Sequence, residues 1–194
     1  MQQKSELWLI RHGETAWSVS GQHTGKTDIP LTDRGRERAE GIGRYLDARP
    51  FALVLTSPHQ RARDTCRIAG YGEAAEVDPN LVEWDYGEYE GRTTQDIRAE
   101  RPGWSIWEDG PQGGETLDEV GARALAVIDR ALAAGWPVAL FSHAHMLRIL
   151  TAIWLGLGPK GGRLLALGTG SIGRLGFERE ERVILTWNRS FEME

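Results

Sequence analysis

The sequence is poor in cysteine, in long apolar runs and in positive charge. Cys66 is the one cysteine among 194 residues, which excludes an internal disulfide and fits a reducing compartment. No apolar run approaches the ~20 residues that a membrane-spanning helix needs, and residues Met1 to Glu6 contain no apolar signal region. We therefore expect a cytoplasmic protein that does not act at a membrane.

Positive charge is scarce because 23 Lys and Arg residues face 28 Asp and Glu residues, which gives a formal net charge of −5. A chain with this balance has no overall attraction for nucleic acid. Any anion site must therefore be a local concentration of Arg, Lys or His. With 194 residues, 40% of them hydrophobic, the chain has the length for one well-filled core, so we predict a single domain over residues 1–194.

A cation pair follows the first apolar run of the chain. Residues Leu7 to Ile10 leave neither face polar and therefore predict a short buried strand. Arg11 and His12 come next, and Gly13 then lets the backbone turn sharply and approach a ligand. Open α/β sheets place their ligand sites at this C-terminal end of the strands. The alternative is a strand that ends in a solvated Arg-His pair.

A second apolar strand, Phe51–Thr56, is followed by the signals of a helix start. In the run Ser57-Pro58-His59-Gln60, Ser57 fits the N-cap, proline the first helical position and Gln60 the third position of a capping box. Arg61 then lies in the first turns and, because helical side chains lean toward the N-terminus, it can reach back over the end of the strand. A surface salt bridge is the alternative for this arginine.

A third apolar strand, Val138–Phe141, ends in Ser142 and His143 before an apolar helix that reaches about Leu155. Strands that alternate with helices in this way predict an α/β fold, a three-layer α/β/α sandwich with a mainly parallel central sheet. Parallel strands end on a common edge, so the cationic side chains that follow them should gather there. Phosphate suits such a cluster because guanidinium groups match its oxygens in bidentate fashion. The expected cluster consists of Arg11, His12, Arg61 and His143.

Two other helices and a hairpin complete the predicted fold. Thr32 can cap a helix that buries Ala39, Ile42 and Leu46, and a capping box of Thr116 and Glu119 starts a helix that runs to Gly135. The apolar stretches 171–177 and 182–187 predict an antiparallel hairpin at the edge of the sheet.

The segment from about residue 78 to 114 is polar and glycine-rich, and one short helix is expected after Thr93. Its composition resembles a lid over a site more than a linker between domains. Aromatic residues are spread through it: Trp84, Tyr86, Tyr89, Trp104 and Trp107.

The residues from Arg11 to Thr15, Arg-His-Gly-Glu-Thr, match the signature of the histidine phosphatase superfamily, also called the phosphoglycerate mutase-like family. Four further stretches resemble the later motifs of that family in the right order. They are Thr56-Ser57-Pro58 with Arg61 and Thr65, Leu81-Val82-Glu83 with Gly87 and Gly91, Gly114-Glu115-Thr116, and Ser142-His143. The resemblance covers most of the chain and implies a phosphoglycerate mutase-like fold.

The resemblance also implies a catalytic role for each residue of the cluster. His12 would be the nucleophile that is transiently phosphorylated, and Arg11, Arg61 and His143 would hold the non-bridging oxygens of the phosphoryl group. Glu83 would protonate the leaving alkoxide and then accept a proton from the hydrolytic water. We expect a small phosphorylated substrate, no cofactor and no metal, and leave a homodimer open as the assembly.

The first motif departs from the family at Ser18, which follows Trp17 where the family usually has Asn. The hydrogen bond of that Asn is either made by Ser18 or lost, and substrate fit should be affected. Nearby loop residues resemble those around the family's phosphate pocket. The full set expected to contact phosphate or substrate is Arg11, Gly13, Ser18, Gln22, Thr24, Gly25, Arg61, Glu83, His143 and Ala144.

Three alternatives stay open beside the phosphatase interpretation. His143 and His145 could be two metal ligands, although alternating side chains at a strand end would separate them. A phosphoglycerate mutase would need a longer insertion and an Arg-Arg pair, whereas only 22 residues, Arg92 to Gly113, separate the two motifs here. A non-catalytic module could use the same pocket to bind a phosphorylated partner. The run from Trp17 to Gly25 also resembles members described as sugar-bisphosphate phosphatases and broad acid phosphatases, and it does not choose among them. We therefore expect small phosphorylated metabolites such as sugar phosphates or sugar bisphosphates as substrates.

Overall fold

The computed structural model describes residues 6–191, which form a central sheet flanked by helices. The six strands are β1 (Leu7–Arg11), β2 (Leu53–Thr56), β3 (Ala75–Val77), β4 (Val138–Ser142), β5 (Ile172–Glu178) and β6 (Glu181–Arg189). The α-helices are α1 (Ala16–Ser20), α2 (Asp33–Leu46), α3 (Gln60–Ile68), α4 (Thr94–Glu100), α5 (Ile106–Asp109), α6 (Leu117–Ala134) and α7 (Ala144–Trp154). Short 3₁₀ helices cover Pro79–Leu81, Gly87–Tyr89 and Pro159–Leu164.

The sheet has the strand order β3-β2-β4-β1-β5-β6. The first four strands in this order are parallel to one another, and β5 and β6 are antiparallel. This arrangement confirms the mainly parallel sheet and the hairpin at its edge. Because β1 and β4 are central neighbours, the residues that follow them leave the sheet side by side.

Side chains of the central strands alternate between two hydrophobic clusters, one on each face of the sheet. In β1, Leu7 and Leu9 join a cluster with residues of α6 and α7, whereas Trp8 and Ile10 join one with residues of α2 and α3. Each fully buried Leu or Ile side chain stabilises the fold by roughly 1.5–3 kcal/mol. The three-layer α/β/α sandwich predicted from the sequence is therefore confirmed.

Helix caps agree with the sequence at two sites and differ at a third. Thr32 caps α2, and Thr116 caps α6 in a capping box. The predicted N-cap at Ser57 is wrong, since α3 begins at Gln60 and has His59 at its N-cap without a side-chain capping bond. The hydroxyl of Ser57 instead forms a hydrogen bond with the ring of His143. The side chain that was expected to cap the helix therefore belongs to the site.

The glycine-rich segment 78–114 packs onto the core with its aromatic side chains. The short helix expected after Thr93 is α4, the structure shows that Thr93 caps it, and α5 adds a second short helix. The buried aromatic residues belong to the cluster under α6 and α7: Trp84, Tyr86, Tyr89 and Trp104. The lid role of this segment stays a prediction. Within residues 6–191, no helix combines the length and the hydropathy that crossing a membrane requires.

Candidate active site

The ends of β1 and β4 bring the first and last motifs into contact. Arg11 pairs with Ser142 in the parallel register, and the backbone N–H of His12 donates to the carbonyl of Ser142 at 3.0 Å. The rings of His12 and His143 then lie with their centroids 5.2 Å apart. Two imidazoles that are 131 positions apart in the chain thus meet at one edge of the sheet.

Arg61 joins this pair from the first turn of α3, where it is fully buried. Its Nε donates to Nδ1 of His143 at 3.1 Å, and its two Nη atoms donate to the carbonyls of Thr24, Gly25 and Thr27. The guanidinium is therefore held by the loop between α1 and α2. The structure brings together all four cationic residues that the strand order places at this edge.

One ring nitrogen of His12 is fixed as a donor by the backbone. Its Nδ1 lies 2.7 Å from the carbonyl oxygen of Gly13, and a carbonyl only accepts, so Nδ1 carries the proton. Burial, with the charges of Arg11 and Arg61, holds the pKa of His12 well below its usual value. The ring is accordingly neutral at physiological pH, and Nε2 keeps a free lone pair.

His143 is fixed in the opposite tautomer. Its Nδ1 accepts from Arg61, so the proton of the neutral ring lies on Nε2, which donates to the hydroxyl of Ser57 at 2.8 Å. Burial first, and then the charge of Arg61, holds the pKa of His143 well below its usual value. The ring next to His12 is therefore uncharged, and both of its nitrogens are engaged by Arg61 and Ser57. Ser57 is thus a site residue that the sequence analysis assigned to a helix cap.

Arg11 has a buried guanidinium nitrogen without a partner. Its Nη1 donates to the carbonyl of Leu167, but Nε is buried and has no hydrogen-bond partner among residues 6–191. Burial lowers the pKa of Arg11 to about 10, which still leaves the group charged at neutral pH. A buried charged donor without an acceptor is costly, and Arg11 lines the cavity beside His12, where a bound anion would offset the charge of its guanidinium.

Glu83 lies at the N-terminus of α7, where three backbone N–H groups donate to its carboxylate. Oε1 accepts from Trp84 at 3.0 Å and from Met146 at 3.0 Å, and Oε2 accepts from His145 at 3.1 Å. These bonds and the positive end of the helix fix both oxygens of a side chain that is nearly fully buried. The predicted acid thus has one defined position beside the cation cluster.

A cavity of about 240 Å³ opens beside His12. The predicted site residues that line it are Arg11, His12, Ser18, Gln22, Thr24, Glu83 and Ala144. Residues that the sequence analysis did not place in the pocket also line it, namely Gly21, His23, Tyr86, Thr94 and His145. Four predicted residues are not among those that line this cavity: Gly13, Gly25, Arg61 and His143. Gly13, Gly25 and His143 each adjoin a lining residue in the chain, and Arg61 donates to the carbonyl of Thr24. Their direct contact with phosphate stays a prediction.

Gly13 and Gly25, which were expected to contact phosphate, have structural roles in the protein. The N–H of Gly13 donates to Thr65 Oγ1 at 3.0 Å, and a Cβ on Gly13 would lie 2.3 Å from the carbonyl oxygen of Gly35 in α2. The close approach that requires glycine is thus to a helix rather than to a ligand. The N–H of Gly25 donates to the carboxylate of Glu90, and its carbonyl accepts from Arg61.

Ser18 uses its hydroxyl on its own helix start. The Oγ donates to the carbonyl of Thr15 at 2.8 Å and accepts from the N–H of Thr15 at 2.9 Å. Its side chain still lines the cavity, but its hydroxyl hydrogen is already engaged. Of the two outcomes expected for this position, the structure favours the loss of a direct donor to the substrate.

A half-buried ion pair holds the loop that carries Glu83. Arg123 in α6 forms a bidentate pair with Glu115 at 2.8 and 2.9 Å, and its Nη1 donates to the carbonyls of Asn80 and Val82. Glu115 Oε2 also accepts from the backbone N–H of Asp85. Glu115 was noticed in the sequence only as part of a motif, and Arg123 was missed because nothing near it in the chain indicates its distant partners.

A larger open cavity of about 790 Å³ lies between α3 and β3, away from these groups. It is lined by residues such as Arg63, Cys66 and Val77. Burial raises the pKa of the Cys66 thiol to about 12, so this cysteine is protonated and unreactive at neutral pH. Volume therefore does not identify the site; the chemistry lies in the smaller cavity.

The described residues contain no group of three or more His, Cys, Asp or Glu side chains arranged to hold a metal ion. His143 and His145, the two candidate ligands from the sequence, already have protein partners. His143 bonds to Arg61 and Ser57, and His145 bonds to the hydroxyl of Tyr86 at 2.7 Å.

Comparison with known proteins places this site in a family. The family model of the histidine phosphatase superfamily (branch 1) matches residues 7–190. The chain belongs to the histidine phosphatase superfamily. An acid phosphatase from Mycobacterium tuberculosis is 42% identical over 180 residues, which cover 91% of this chain and 88% of that protein.

Two further comparisons agree with the family. A sedoheptulose 1,7-bisphosphatase from Saccharomyces cerevisiae is 36% identical over 183 residues, with 77% of this chain and 67% of that protein covered. A solved structure of an open reading frame from Mycobacterium tuberculosis superimposes with a TM-score of 0.92 at 38% identity and covers 97% of this chain and 99% of that one. The phosphoglycerate mutase-like fold implied by the sequence motifs is thereby confirmed.

Proposed function

We propose that this member of the histidine phosphatase superfamily hydrolyses phosphomonoesters of small metabolites, such as sugar phosphates or sugar bisphosphates, through a phosphohistidine on His12. The observation that carries the proposal is the state of His12: a neutral ring, a proton fixed on Nδ1 by Gly13, and a lone pair on Nε2. Arg11 and Glu83 line the same cavity and supply a cation for the phosphoryl oxygens and an acid for the leaving group.

In the first step, Nε2 of His12 attacks phosphorus and the bond from phosphorus to the ester oxygen breaks. Glu83 acts in its protonated form in this step and gives that proton to the leaving oxygen, so the product is a neutral alcohol and Glu83 becomes a carboxylate. The phosphorylated ring keeps its proton on Nδ1, and the carbonyl of Gly13 stabilises the resulting positive charge. The charges of Arg11 and Arg61 supply the stabilisation that phosphoryl transfer chiefly needs, and the neutral ring of His143 lies beside His12.

In the second step, Glu83 is a carboxylate and accepts a proton from the water that attacks the phosphohistidine. The bond from phosphorus to Nε2 breaks, inorganic phosphate forms, and His12 returns to its neutral tautomer. The backbone donors from Trp84, His145 and Met146 keep the carboxylate in place through both steps. One side chain thus acts as acid and then as base without moving.

The names of the relatives and the length of one segment support hydrolysis over the mutase alternative. The two phosphatases described above share the family and most of the chain. The 22 residues between the acid loop and the next motif contain no Arg-Arg pair that would grip a bisphosphorylated intermediate. A mutase must retain the bisphosphorylated intermediate during turnover, whereas a hydrated site lets water take the phosphoryl group.

A panel of phosphorylated metabolites, assayed for released phosphate, tests the proposal. Wild-type protein should release phosphate from several sugar phosphates without a bisphosphorylated primer, and His12→Ala should release none above background. Excess chelator should leave the rate unchanged, because Arg11 and Arg61 already supply the positive charge that a metal ion would bring. A requirement for the primer would favour the mutase, and binding without any turnover would favour a non-catalytic module.

A further inference from the structure

His145, the second residue of α7, lies in an aromatic pocket at one side of the cavity. Its ring packs against Trp84, Tyr86 and Trp107 at centroid distances of 5.9, 5.8 and 5.2 Å. Its side chain is 16% exposed, and it is among the residues that line the cavity. The ring is therefore rigidly held, yet one part of it remains accessible from the site.

The hydroxyl of Tyr86 fixes the tautomer of this ring. Burial, and then the charge of Glu83, holds the pKa of Tyr86 well above its usual value, so the hydroxyl keeps its proton. Among residues 6–191, Nδ1 of His145, 2.7 Å away, is the one hydrogen-bond partner of this buried hydroxyl, so the hydroxyl is assigned as the donor and Nδ1 as the acceptor. Burial also lowers the pKa of His145 well below its usual value, and the proton of the neutral ring therefore lies on Nε2. That atom has no partner among residues 6–191 and is not one of their buried unpartnered atoms, so it presents an N–H donor to the cavity.

The position of His145 decides which part of a substrate it meets. Its backbone N–H donates to Oε2 of Glu83, and its Nδ1 lies 3.9 Å from the same oxygen. Glu83 is the group that protonates the leaving oxygen, so a donor beside it faces the alcohol part of the ester rather than the phosphate. An uncharged donor next to a carboxylate suits a neutral oxygen better than a second anionic group.

His23 adds an acceptor to the same cavity. Its Nδ1 donates to the carbonyl of Arg92 at 2.7 Å, and its ring packs edge-on against Tyr86 at 4.8 Å. In the uncharged form its Nε2 is then an acceptor, and His23 lines the cavity together with His145. A hydroxyl group both donates and accepts, so a polyol fits this combination of groups better than an ether, an alkyl chain or a carboxylate.

We propose that His145 is a specificity-determining residue whose Nε2–H donates to a hydroxyl on the carbon next to the scissile ester oxygen. The proposal rests on the proposed function and narrows its substrate class to phosphate esters of vicinal diols and polyols. Tyr86 is the positioning residue that holds the donor in its tautomer.

Two esters that differ by one hydroxyl test the proposal: propane-1,2-diol 1-phosphate and propyl phosphate. Wild type should prefer the diol ester in kcat/KM by about tenfold or more, the value of one well-placed hydrogen bond in a site built for it. His145→Phe keeps the aromatic packing but has no donor, so the ratio of kcat/KM for the diol ester to kcat/KM for propyl phosphate should fall to about one, whatever the absolute rates. His145→Gln, which keeps an N–H donor, should restore part of the preference.

Tyr86→Phe provides a second variant that leaves the His145 ring in place. Without the hydroxyl, the ring proton of His145 is no longer fixed on Nε2. The preference for the diol ester should therefore fall to a value between those of wild type and His145→Phe. A wild type without preference, a preference that persists in His145→Phe, or an equal loss on both esters would overturn the assignment. Failure of the proposed function is a separate result, because wild type would then hydrolyse neither ester and no member of the metabolite panel.

Discussion

At the scale of single residues, one hydrogen bond determines which nitrogen of His12 reacts. The carbonyl of Gly13 takes the Nδ1 proton, and the buried, cation-rich surroundings keep the ring neutral. The motif in the sequence indicates the nucleophile by resemblance alone. The tautomer follows only from the direction of a backbone carbonyl, which no residue pattern specifies.

Glu83 has a role that depends on the leaving group, and this dependence gives a selective prediction. A sugar alkoxide needs a proton as the ester bond breaks, whereas nitrophenolate leaves without one. In Glu83→Gln, the burst of alcohol from a sugar phosphate should therefore slow by roughly a hundredfold or more, and the burst of phenol from nitrophenyl phosphate should stay close to the wild-type rate. Rapid-quench measurement of the first turnover separates this step from hydrolysis, in which Glu83 acts again.

Equal slowing of both bursts would contradict the acid role and would show that Glu83 positions the phosphate. The amide of the variant keeps the size of the side chain and one acceptor for the backbone N–H groups of α7. Asp85 and Glu14 would then be the next candidates for the acid.

At the scale of elements, a side chain of α6 attaches the loop that carries Glu83 to the helix. Arg123 and Glu115 are only 17% and 24% exposed, and together they engage the backbone of Asn80, Val82 and Asp85. Loss of Arg123 removes this donor from the carbonyls of Asn80 and Val82 and leaves Glu115 with the backbone N–H of Asp85, in a half-buried place. The loop would lose its attachment to the helix as well as an ion pair.

Arg123→Met should lower the free energy of unfolding by about 1–3 kcal/mol, because the carbonyls of Asn80 and Val82 lose a charged donor in a half-buried place. Its matched control is Arg67→Met, since Arg67 is 62% exposed and pairs with Asp64 on the surface of α3, where loss should cost less than about 0.5 kcal/mol. Urea unfolding of both variants measures the difference. Similar losses in the two variants would show that the Arg123–Glu115 pair contributes no more to stability than a surface ion pair does.

The elements that the sequence predicts are those with local signals. The strands β1 and β4 are uniform apolar runs, and the starts of α2 and α6 carry their own capping residues Thr32 and Thr116. The short edge strand β3 was missed because half-buried and exposed residues give it no apolar pattern. The start of α3 was misplaced because Ser57 bonds to a histidine 86 residues away.

At the scale of the whole molecule, three buried histidines make stability depend on pH. The pKa values of His12, His143 and His145 are all held well below the value of 6.5 that an exposed histidine has, chiefly by burial. Below about pH 6.5 the unfolded chain binds these protons and the folded protein does not. The free energy of unfolding should therefore be constant with respect to these groups above pH 6.5 and fall as the pH falls toward their folded pKa values.

Urea unfolding at pH 7.5, 6.5 and 5.5 measures this dependence. Each histidine should contribute a slope of up to about 1.4 kcal/mol per pH unit below its unfolded pKa. His145→Phe removes one of the three groups, so its stability should fall less steeply from pH 6.5 to 5.5 than that of wild type, whatever its absolute stability. A flat wild-type profile, or identical slopes in the two proteins, would contradict the neutral buried state of these rings.

The assembly of the site follows from the sheet order, and this part of the molecule could be predicted. Arg11, His12, Arg61 and His143 gather because parallel strands end together, and a reader of the sequence needs only the strand boundaries to expect it. The shell around them could not be predicted in the same way. Ser57, Thr65 and Tyr86 act through side-chain bonds to partners distant in the chain, and such contacts leave no periodic signal.

Trapping of the covalent intermediate tests the central claim most directly. Wild type is mixed with a sugar phosphate that it hydrolyses, quenched in base within the first turnovers because phosphohistidine is labile in acid, and measured by intact mass. The account predicts one added phosphoryl group per chain in wild type and none in His12→Ala under the same conditions. Active wild type without the added group, or an added group that persists in His12→Ala, would contradict catalysis through His12.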